Sequence, residues 1–307
     1  MTKIMLHELL SQSRANAWEI GNDIVPCAPT PLLMGIVNVT PDSFFDGGKH
    51  NTPELAFDHA ISLLEDGAQI LDIGGESSRP GSTPVSIQEE LDRVCPVVES
   101  LTQFAKLAEN SGCNPHKFYI SVDTVKAKVA EEVIKLGAHI INDISACTMD
   151  PDMPSVIANT GVSVVLNHMR GNFGTMQNDF TPYKDVVAEV RNELLAQAGY
   201  LISLGVEKSR ICLDPGIGFG KTAEDNIELM KSIEFFQQDG YPILIGSSRK
   251  SYIGKMKGLE NSSRLIPTIT AGIIAYLGGA SVIRVHDVRE ALESMLYLEA
   301  LQKDGSV

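Results

Sequence analysis

The sequence predicts an α/β protein, a (β/α)₈ TIM barrel with a short N-terminal extension. From residue 31 onward, a short β-branched run followed by a helical pattern recurs eight times. The runs are nearly continuous in apolar residues, as expected for parallel strands buried on both faces. Polar residues stand at the carboxyl ends of these runs, and such ends converge on one mouth only when the sheet closes. A doubly wound open sheet is the alternative fold.

The eight strands are expected at residues 31–39, 69–75, 117–123, 139–144, 162–169, 210–216, 242–248 and 281–287. Helix starts are predicted at Thr52-Pro53 and Thr181-Pro182, where a capping hydroxyl precedes a proline in the first helical position. Ser86 with Glu89 has the spacing of a capping box. Residues 1–30 are expected to form the extension and residues 31–307 one barrel domain.

Length and charge limit the possible functions. The 307 residues would suit two average domains, but barrels of this kind fill ~250 residues as one unit. The net charge of −14 argues against nucleic acid as a partner, because nucleic-acid-binding proteins need a basic face. A small anionic substrate in a locally basic pocket remains compatible with this charge.

The sequence also predicts a cytoplasmic protein without a membrane span. The five cysteines are widely spaced and form no C-x-x-C pair, which indicates reduced thiols. The N-terminus has neither the long apolar core nor the cleavage site of a signal peptide. Residues 265–283 carry no charge over 19 residues, but their proline and glycines favour a buried helix followed by a strand.

Two sets of polar residues at the strand ends indicate a binding site. Three convergent acid and amide groups fit a flat ligand rich in N–H donors, such as an aminopyrimidinone ring, although a polar layer inside the barrel is the alternative. This first set consists of Asp123, Asn142 and Asp214. The second set follows strands seven and eight, where barrels often bind phosphate, and it indicates an anion pocket. It consists of Arg249, Lys250, Ser251, Arg284 and His286.

Three loops allow more than one interpretation. Asn38 begins either an ordinary turn or a loop whose amide oxygen is a ligand for Mg²⁺. The loop 72–82 is either solvated or folds over a ligand and offers the guanidinium of Arg79 to an anion. The segment DPGIGFGKT at 214–222 is not a Walker A motif, because Pro215 stands where glycine is required. It leaves a glycine turn that presents Asp214 and Phe219.

The motifs in order resemble those of the dihydropteroate synthase family, over about five-sixths of the chain. The similar segments are MGIVNVTPDSFFDGG, DIGGESSRPG, SVDT, INDIS, HMRGNFGTMQ, LDPGIGFGK, SSRKS and RVHDV. The resemblance implies a transferase that joins 6-hydroxymethyl-7,8-dihydropterin pyrophosphate to p-aminobenzoate. By the same resemblance, the reaction would release pyrophosphate and would need Mg²⁺. A cytoplasmic homodimer with these small-molecule substrates, and with no nucleic-acid or membrane partner, is expected.

The resemblance also implies residue roles. The pterin ring would be held by Asp123, Asn142, Asp214 and Lys250. The pyrophosphate would be bound by Asn38, Arg79, Arg284 and His286, with Mg²⁺ near Asn38. The p-aminobenzoate site would be formed by Ser78, Pro80, Phe219 and Ser251, with the carboxylate near a helix start at Ser251. Lys250, Arg284 and His286 are the residues expected to act in catalysis.

Several positions depart from the family pattern. Ser78 stands where threonine is common and keeps the hydroxyl. Ala146 and Cys147 replace two usual glycines, and Phe173 replaces a usual proline, so loop packing is expected to differ. Two other functions stay open from the sequence. A pterin-binding methyltransferase barrel would keep the acid and amide set without needing the basic cluster, and a non-catalytic pterin-binding paralogue would need no turnover.

Overall fold

The computed structural model describes residues 17–28, 30–40, 52–77, 84–111, 117–171 and 182–302. Eight parallel strands, each inside its predicted range, form one sheet in the order β8-β7-β6-β5-β4-β3-β10-β9. The strands are β3 (Leu32–Asn38), β4 (Ile70–Gly74), β5 (Tyr119–Asp123), β6 (Ile140–Asp143), β7 (Ser163–Asn167), β8 (Ile211–Asp214), β9 (Leu244–Ile245) and β10 (Val282–Val285). A parallel bridge between Leu213 and Ile243 joins the two ends. The predicted TIM barrel is therefore confirmed, and the open sheet is excluded.

Nine helices surround the described barrel, and two short 3₁₀ turns, Lys208–Arg210 and Ser251–Lys255, interrupt its loops. The helices are α1 (Pro53–Glu65), α2 (Ile87–Ser111), α3 (Ala127–Leu136), α4 (Met153–Thr160), α5 (Val186–Ser203), α6 (Ala223–Lys231), α7 (Ile233–Gln237), α8 (Leu265–Leu277) and α9 (Val288–Gln302). Alternate strand residues such as Leu71 and Ile73 face these helices in the main apolar core.

Two predicted helix starts are present. The hydroxyl of Thr52 accepts a hydrogen bond from the N–H of Leu55, and α1 begins with the proline that follows. The hydroxyl of Ser86 accepts from the N–H of Glu89 at 3.1 Å, one half of the predicted capping box. These bonds satisfy backbone donors that the first turn of a helix leaves without partners.

The predicted helix start at Thr181-Pro182 is wrong. Helix α5 begins at Val186, and the carboxylate of Asp185 caps it by accepting from the N–H of Ala188 at 3.0 Å. A carboxylate near a helix N-terminus also interacts favourably with the helix dipole, so Asp185 ends the preceding loop and Pro182 lies outside the helix. Thr181 lies outside the described residues.

The amino-terminal end of the barrel is closed by a hairpin. Strands β1 (Ala17–Ile20) and β2 (Asp23–Pro26) pair antiparallel. The fully buried Trp18 packs with inward-facing strand residues and donates through its indole nitrogen to the carbonyl of Arg210 at 3.2 Å. The inward-facing set comprises Leu32, Met34, Ile70, Tyr119, Ile140, Val165, Cys212, Leu244 and Val282. The described part of the extension thus packs into the amino-terminal end of the barrel. The domain boundary at residue 30 stays a prediction.

None of the helices in the described part of the chain combines the length and apolarity that a membrane crossing requires. The uncharged stretch 265–283 contains helix α8 and the start of strand β10, as predicted. The four cysteines within the described residues, Cys27, Cys95, Cys147 and Cys212, are free thiols. Cys113 lies outside the described residues.

The turn after β6 explains one departure from the family pattern. Ala146 and Cys147 both have positive φ, at +53° and +61°. Glycine adopts this left-handed conformation without steric cost, whereas a residue with a Cβ is strained there. The carboxylate of Asp143 stabilises the turn by accepting from the N–H and the hydroxyl of Ser145 at 2.7 and 2.6 Å.

Substitution at Ala146 should reveal this strain. We expect Ala146→Val to lower the free energy of unfolding by ~2 kcal/mol, because a β-branched side chain at positive φ in a packed position is strongly disfavoured. Ala146→Gly should stay within ~1 kcal/mol of the parent, since relief of strain offsets the lost methyl group. Urea denaturation of both variants measures the difference. A valine variant as stable as the glycine variant would contradict the assignment of a strained left-handed conformation to Ala146.

Candidate active site

The carboxyl ends of the strands form a mouth at which Arg284 of β10 meets two carboxylates. Its Nε donates to Oδ2 of Asp72 at 2.6 Å, and its Nη2 donates to Oδ2 of Asp123 at 3.1 Å. The Arg284 side chain is 19% exposed, so the guanidinium is reachable from the mouth. Pairing of the last strand β10 with β3 brings Arg284 to the same mouth as Asp72 of β4 and Asp123 of β5.

Asp72 of β4 orients its neighbours. Its fully buried carboxylate also accepts from the Ser121 hydroxyl at 2.6 Å and from Nδ2 of Asn142 at 3.0 Å. With Nδ2 occupied in this way, Oδ1 of Asn142 is buried and has no hydrogen-bond partner within the described residues. Such an oxygen is an acceptor for an N–H donor of a ligand, because an unpaired buried polar atom is costly.

Sequence reasoning missed this role of Asp72. The residue is visible in the sequence as a polar group at a strand end, but its ion pair with Arg284 joins positions 212 residues apart. No local pattern encodes such a pair. The useful signal was the acidic residue within a run that is otherwise apolar, because a buried carboxylate needs a partner.

Two other carboxylates face the mouth. Burial raises the pKa of Asp123 to about 7, although the charge of Arg284 opposes the rise. Burial also raises the pKa of Asp214, and the hydrogen bond from the N–H of Gly216 at 2.7 Å opposes that rise. Each of these buried carboxylates depends on hydrogen bonds from its neighbours or from a ligand, because its oxygens have been removed from water.

The glycine turn after β8 has the compact form that its sequence predicts. Gly216 has a φ of +70°, and a Cβ on it would lie 1.8 Å from the carbonyl oxygen of His168. Only glycine allows this close approach of the turn to the end of β7. The turn places the Phe219 ring beneath the ammonium of Lys250, whose Nζ lies 3.8 Å from the ring centroid.

Lys250 carries the other cation that faces the acidic set. Burial lowers the pKa of Lys250 to about 8, and the nearby negative charge of Asp214 opposes the fall. Arg284 and Asp214 approach each other at Gly246, because a Cβ on this glycine would lie 3.9 Å from both Cδ of Arg284 and Oδ2 of Asp214. Lys250, Asp214, Asp123 and Arg284 therefore form one charged cluster.

The predicted cation group after strands seven and eight is divided in the structure. Arg249 donates from Nε to the carboxylate of Asp287 at 3.0 Å and also bonds it through Nη2, so it is a structural ion pair. His286 is half-buried beside Ser248, whose hydroxyl lies 2.9 Å from Nδ1 and accepts from the His286 N–H at 3.2 Å. Arg249 does not join Arg284, because its guanidinium is directed to Asp287.

The remaining predicted residues are placed as follows. Asn38 is half-buried at the end of β3, in register with Gly74 of β4. Ser251 is exposed and begins the 3₁₀ turn of residues 251–255. The loop residues Ser78, Arg79 and Pro80 and the departure at Phe173 lie outside the described residues. No group of three or more His, Cys, Asp or Glu side chains that could hold a metal ion exists among the described residues.

A second charge cluster joins the stems of the loop that contains residues 78–80. Lys126 donates to Glu76 at 2.5 Å and also bonds Glu90. The Glu76 carboxylate accepts from the N–H of Val85 at 3.1 Å, so the two ends of this loop are joined. Sequence reasoning did not identify these residues, because the three charges come from separate elements of the chain.

The geometry of the mouth supports one class of ligand. Acceptors on Asp123, Asn142 and Asp214 suit a flat ring with several N–H donors. Lys250 and Arg284 lie in the same cluster and suit an anionic group attached to that ring. The site therefore fits a molecule that is flat and donor-rich at one end and strongly negative at the other.

Comparison with known proteins agrees with this geometry. The family model described as pterin binding enzyme matches residues 34–286. The dihydropteroate synthase of Escherichia coli strain K12 is 44% identical over 270 residues, which cover 88% of this chain and 91% of that protein.

Solved structures show the same fold. Dihydropteroate synthase of Xanthomonas albilineans with 4-aminobenzoic acid has a TM-score of 0.82 and 38% identity, and the match covers 94% of this chain and 99% of that one. The Burkholderia cenocepacia dihydropteroate synthase complexed with 7,8-dihydropteroate has a TM-score of 0.81 and 34% identity, covering 95% of this chain and 98% of that one. These identities over nearly whole chains indicate common ancestry.

Proposed function

Because the chain belongs to the pterin-binding enzymes, and among them to the dihydropteroate synthases, we propose that it condenses 6-hydroxymethyl-7,8-dihydropterin pyrophosphate with p-aminobenzoate. The products are 7,8-dihydropteroate and pyrophosphate. The observation that carries the proposal is the contact of Arg284 with Asp72 and Asp123, because a cation beside these carboxylates supports a ligand that joins a donor-rich ring to an anionic group.

The pterin ring is bound by the acceptors at the mouth. Asp123, Asp214 and the buried unpaired Oδ1 of Asn142 accept from the N–H groups of the ring. Lys250 lies between the Phe219 face and Asp214 and donates to a ring acceptor. Asp72 is a positioning residue, because it holds both Arg284 and the Asn142 amide.

The reaction is a substitution at the pterin methylene. The C–O bond to pyrophosphate breaks, and the pyrophosphate leaves with the electron pair while the electron-rich pterin stabilises the resulting cation. The nitrogen of p-aminobenzoate then forms the C–N bond and loses a proton to solvent. Because an aniline nitrogen is already nucleophilic, no strong general base is needed. Arg284 and His286 stabilise the charge that develops on the leaving group.

The p-aminobenzoate site is assigned to the loops beside this centre. Phe219 forms the apolar wall of this site. Ser251, at the start of the 3₁₀ turn that comes after β9, is assigned to the same site. Ser78 and Pro80 are assigned to the same site by resemblance, and Arg79 to the pyrophosphate.

Magnesium fits the donor set near the pyrophosphate. Mg²⁺ takes few protein oxygens and keeps water and substrate phosphates as its other ligands. The amide oxygen of Asn38 at the end of β3 is a hard donor of this kind. Bound Mg²⁺ would supply charge stabilisation to the leaving group.

A direct assay tests the proposed function. The protein is incubated with the pterin pyrophosphate, labelled p-aminobenzoate and Mg²⁺, and the products are separated by chromatography. Label should appear in 7,8-dihydropteroate only when both substrates are present. Binding of the pterin without any labelled product would instead favour a non-catalytic paralogue. Transfer of a methyl group would favour the methyltransferase.

Asp214 offers a test of the pterin assignment. Asp214→Asn should weaken binding of 6-hydroxymethyl-dihydropterin by ~1.5–3 kcal/mol, the contribution of a hydrogen bond to a charged group. This corresponds to a loss of about 10- to 150-fold in affinity, measurable by calorimetry. Asp143→Asn is the matched control, because Asp143 is also a buried carboxylate at a strand end but bonds Ser145. If Asp214→Asn bound the pterin as tightly as the parent protein does, the assignment of Asp214 to the pterin site would be wrong.

The protein is further proposed to be a cytoplasmic homodimer. The free cysteines support a reducing compartment. Helices α8 and α9 pack together and carry large exposed apolar side chains, which suit contact with a second copy. These are Ile266, Ile274, Leu296, Tyr297 and Leu301. Analytical ultracentrifugation should show a dimer that dissociates when Ile266 and Tyr297 are both changed to glutamate. A parent protein that sediments as a monomer would contradict this proposal.

A further inference from the structure

Lys221 lies near the end of the glycine-rich segment 214–222, which the sequence predicts to be a turn presenting Asp214 and Phe219 without assigning a role to this lysine. The residue is only 5% exposed, and its ammonium lies under the glycine turn after β8. Nζ is 3.0 Å from the carbonyl oxygens of Gly216 and Phe219 and 3.1 Å from that of His168. It is also 3.0 Å from Nδ1 of His168. An ammonium has three N–H donors, so these acceptors can use all of them.

The imidazole of His168 is itself oriented from helix α5. Its Nε2 lies 2.9 Å from the carboxylate of Glu193, so Nε2 carries the hydrogen and Nδ1 is the acceptor for Lys221. Burial lowers the pKa of His168 to about 4, which keeps the ring neutral near pH 7. Arg170 bonds Glu193 and also donates to Glu189 at 2.9 Å, so it holds the Glu193 carboxylate in position on α5.

Lys221 joins two parts of the mouth. Its acceptors Gly216 and Phe219 lie in the turn, while His168 follows β7. The N–H of Gly216 donates to the Asp214 carboxylate, and the Phe219 ring lies against the ammonium of Lys250. The position of the turn therefore determines both the direction of the Asp214 carboxylate and the plane of the Phe219 ring.

We propose that Lys221, oriented by His168 and Glu193, is a positioning residue for both substrates, because it fixes the turn that carries Asp214 and Phe219. The kinetic part of this proposal rests on the proposed function. Lys221 itself contacts no substrate, since its ammonium is used by the carbonyl oxygens beneath the turn.

Packing alone does not account for a lysine at this position. Burial lowers the pKa of Lys221 to about 7, which is the mark of an ammonium removed from water. The charge of Asp214 opposes this fall, but within the described residues no carboxylate forms a salt bridge with Nζ, and its hydrogen bonds to oxygen go to carbonyl groups. A methionine has a similar length and would fill the space without this desolvation cost. The geometry indicates that the ammonium is used to orient the backbone.

The test compares Lys221→Met with Leu201→Ala. Leu201 is buried near the far end of α5, so its truncation destabilises the barrel without touching the turn. Hydrogen–deuterium exchange of segment 214–222 should be at least about tenfold faster in Lys221→Met and unchanged in Leu201→Ala. The KM for p-aminobenzoate and for the pterin pyrophosphate should rise about tenfold in Lys221→Met, while kcat falls less than about threefold.

Variants of Glu193 test the same contacts from the surface, where folding is less at risk because its side chain is 46% exposed. Glu193→Gln keeps an acceptor for His168 and should behave like the parent protein. Glu193→Leu removes the acceptor and should give faster exchange in segment 214–222, with KM values raised about threefold.

Unchanged exchange in segment 214–222 of both Lys221→Met and Glu193→Leu would overturn the proposal. Faster exchange with unchanged KM values would overturn it too, because Lys221 would then be merely structural. If the parent protein makes no dihydropteroate, the proposed function fails, and the exchange measurement still decides whether Lys221 holds the turn.

Discussion

Arg284→Ala should lower kcat/KM for the pterin pyrophosphate by ~10²–10³, the loss seen when one donor to a developing anion is deleted. The guanidinium can grip pyrophosphate through parallel hydrogen bonds, which tighten as negative charge grows on the departing oxygen. An interaction that is stronger in the transition state than in the ground state accelerates the chemical step. Arg284→Lys keeps the charge but loses the planar pair of donors, so it should also be impaired.

A pair of measurements makes this test decisive. Turnover is measured with the pyrophosphate substrate, and binding is measured with bare 6-hydroxymethyl-dihydropterin. Affinity for the bare pterin should fall less than turnover, because Asp214 and Asn142 still accept from the ring when the contact of Arg284 with Asp123 is lost. Arg191→Ala is a matched control, since Arg191 is also mostly buried and paired with a carboxylate, Asp239, but lies on α5. Normal turnover of Arg284→Ala would contradict the anion-pocket assignment, as would an equally severe loss of bare-pterin binding.

Removal of divalent ions should reduce turnover to a residual rate. The leaving group is a polyanion, and stabilisation of its charge by a metal ion contributes several kcal/mol to a reaction of this type. EDTA treatment followed by the labelled-product assay measures the effect, and Mg²⁺ in excess over EDTA should restore activity.

Two controls separate metal-assisted chemistry from a structural effect. Circular dichroism should be the same with and without EDTA, because the barrel is stabilised by packing of its apolar core. Asn38→Ala should raise the Mg²⁺ concentration needed for half-maximal activity, since it removes the one proposed protein ligand. Full turnover in EDTA would show that Mg²⁺ is not required.

Much of the barrel could be predicted because its signals are local. Apolar runs of strand length recur with helical patterns between them, and all eight strands lie where these runs stand. Turn chemistry was equally readable, since the glycines after Asp214 indicated a tight turn and Gly216 has the positive φ that such a turn needs. The predicted helix start at Thr181-Pro182 was wrong, because the helix begins four residues later, where the Asp185 carboxylate accepts from the N–H of Ala188.

The sequence by itself determined which polar residues reach the mouth, because position at a strand end follows from the strand pattern alone. Only the tertiary structure decided their partners. Arg284 pairs with Asp72 and Asp123, whereas Arg249 pairs with Asp287, although both arginines lie near the carboxyl ends of the last two strands. Likewise, Lys221 can bond the carbonyl oxygens of both His168 and Gly216 only because the tertiary structure brings the ends of β7 and β8 together. Hydrogen bonds and ion pairs depend on distance and direction in space, and closure of the barrel fixes both between residues far apart in the chain.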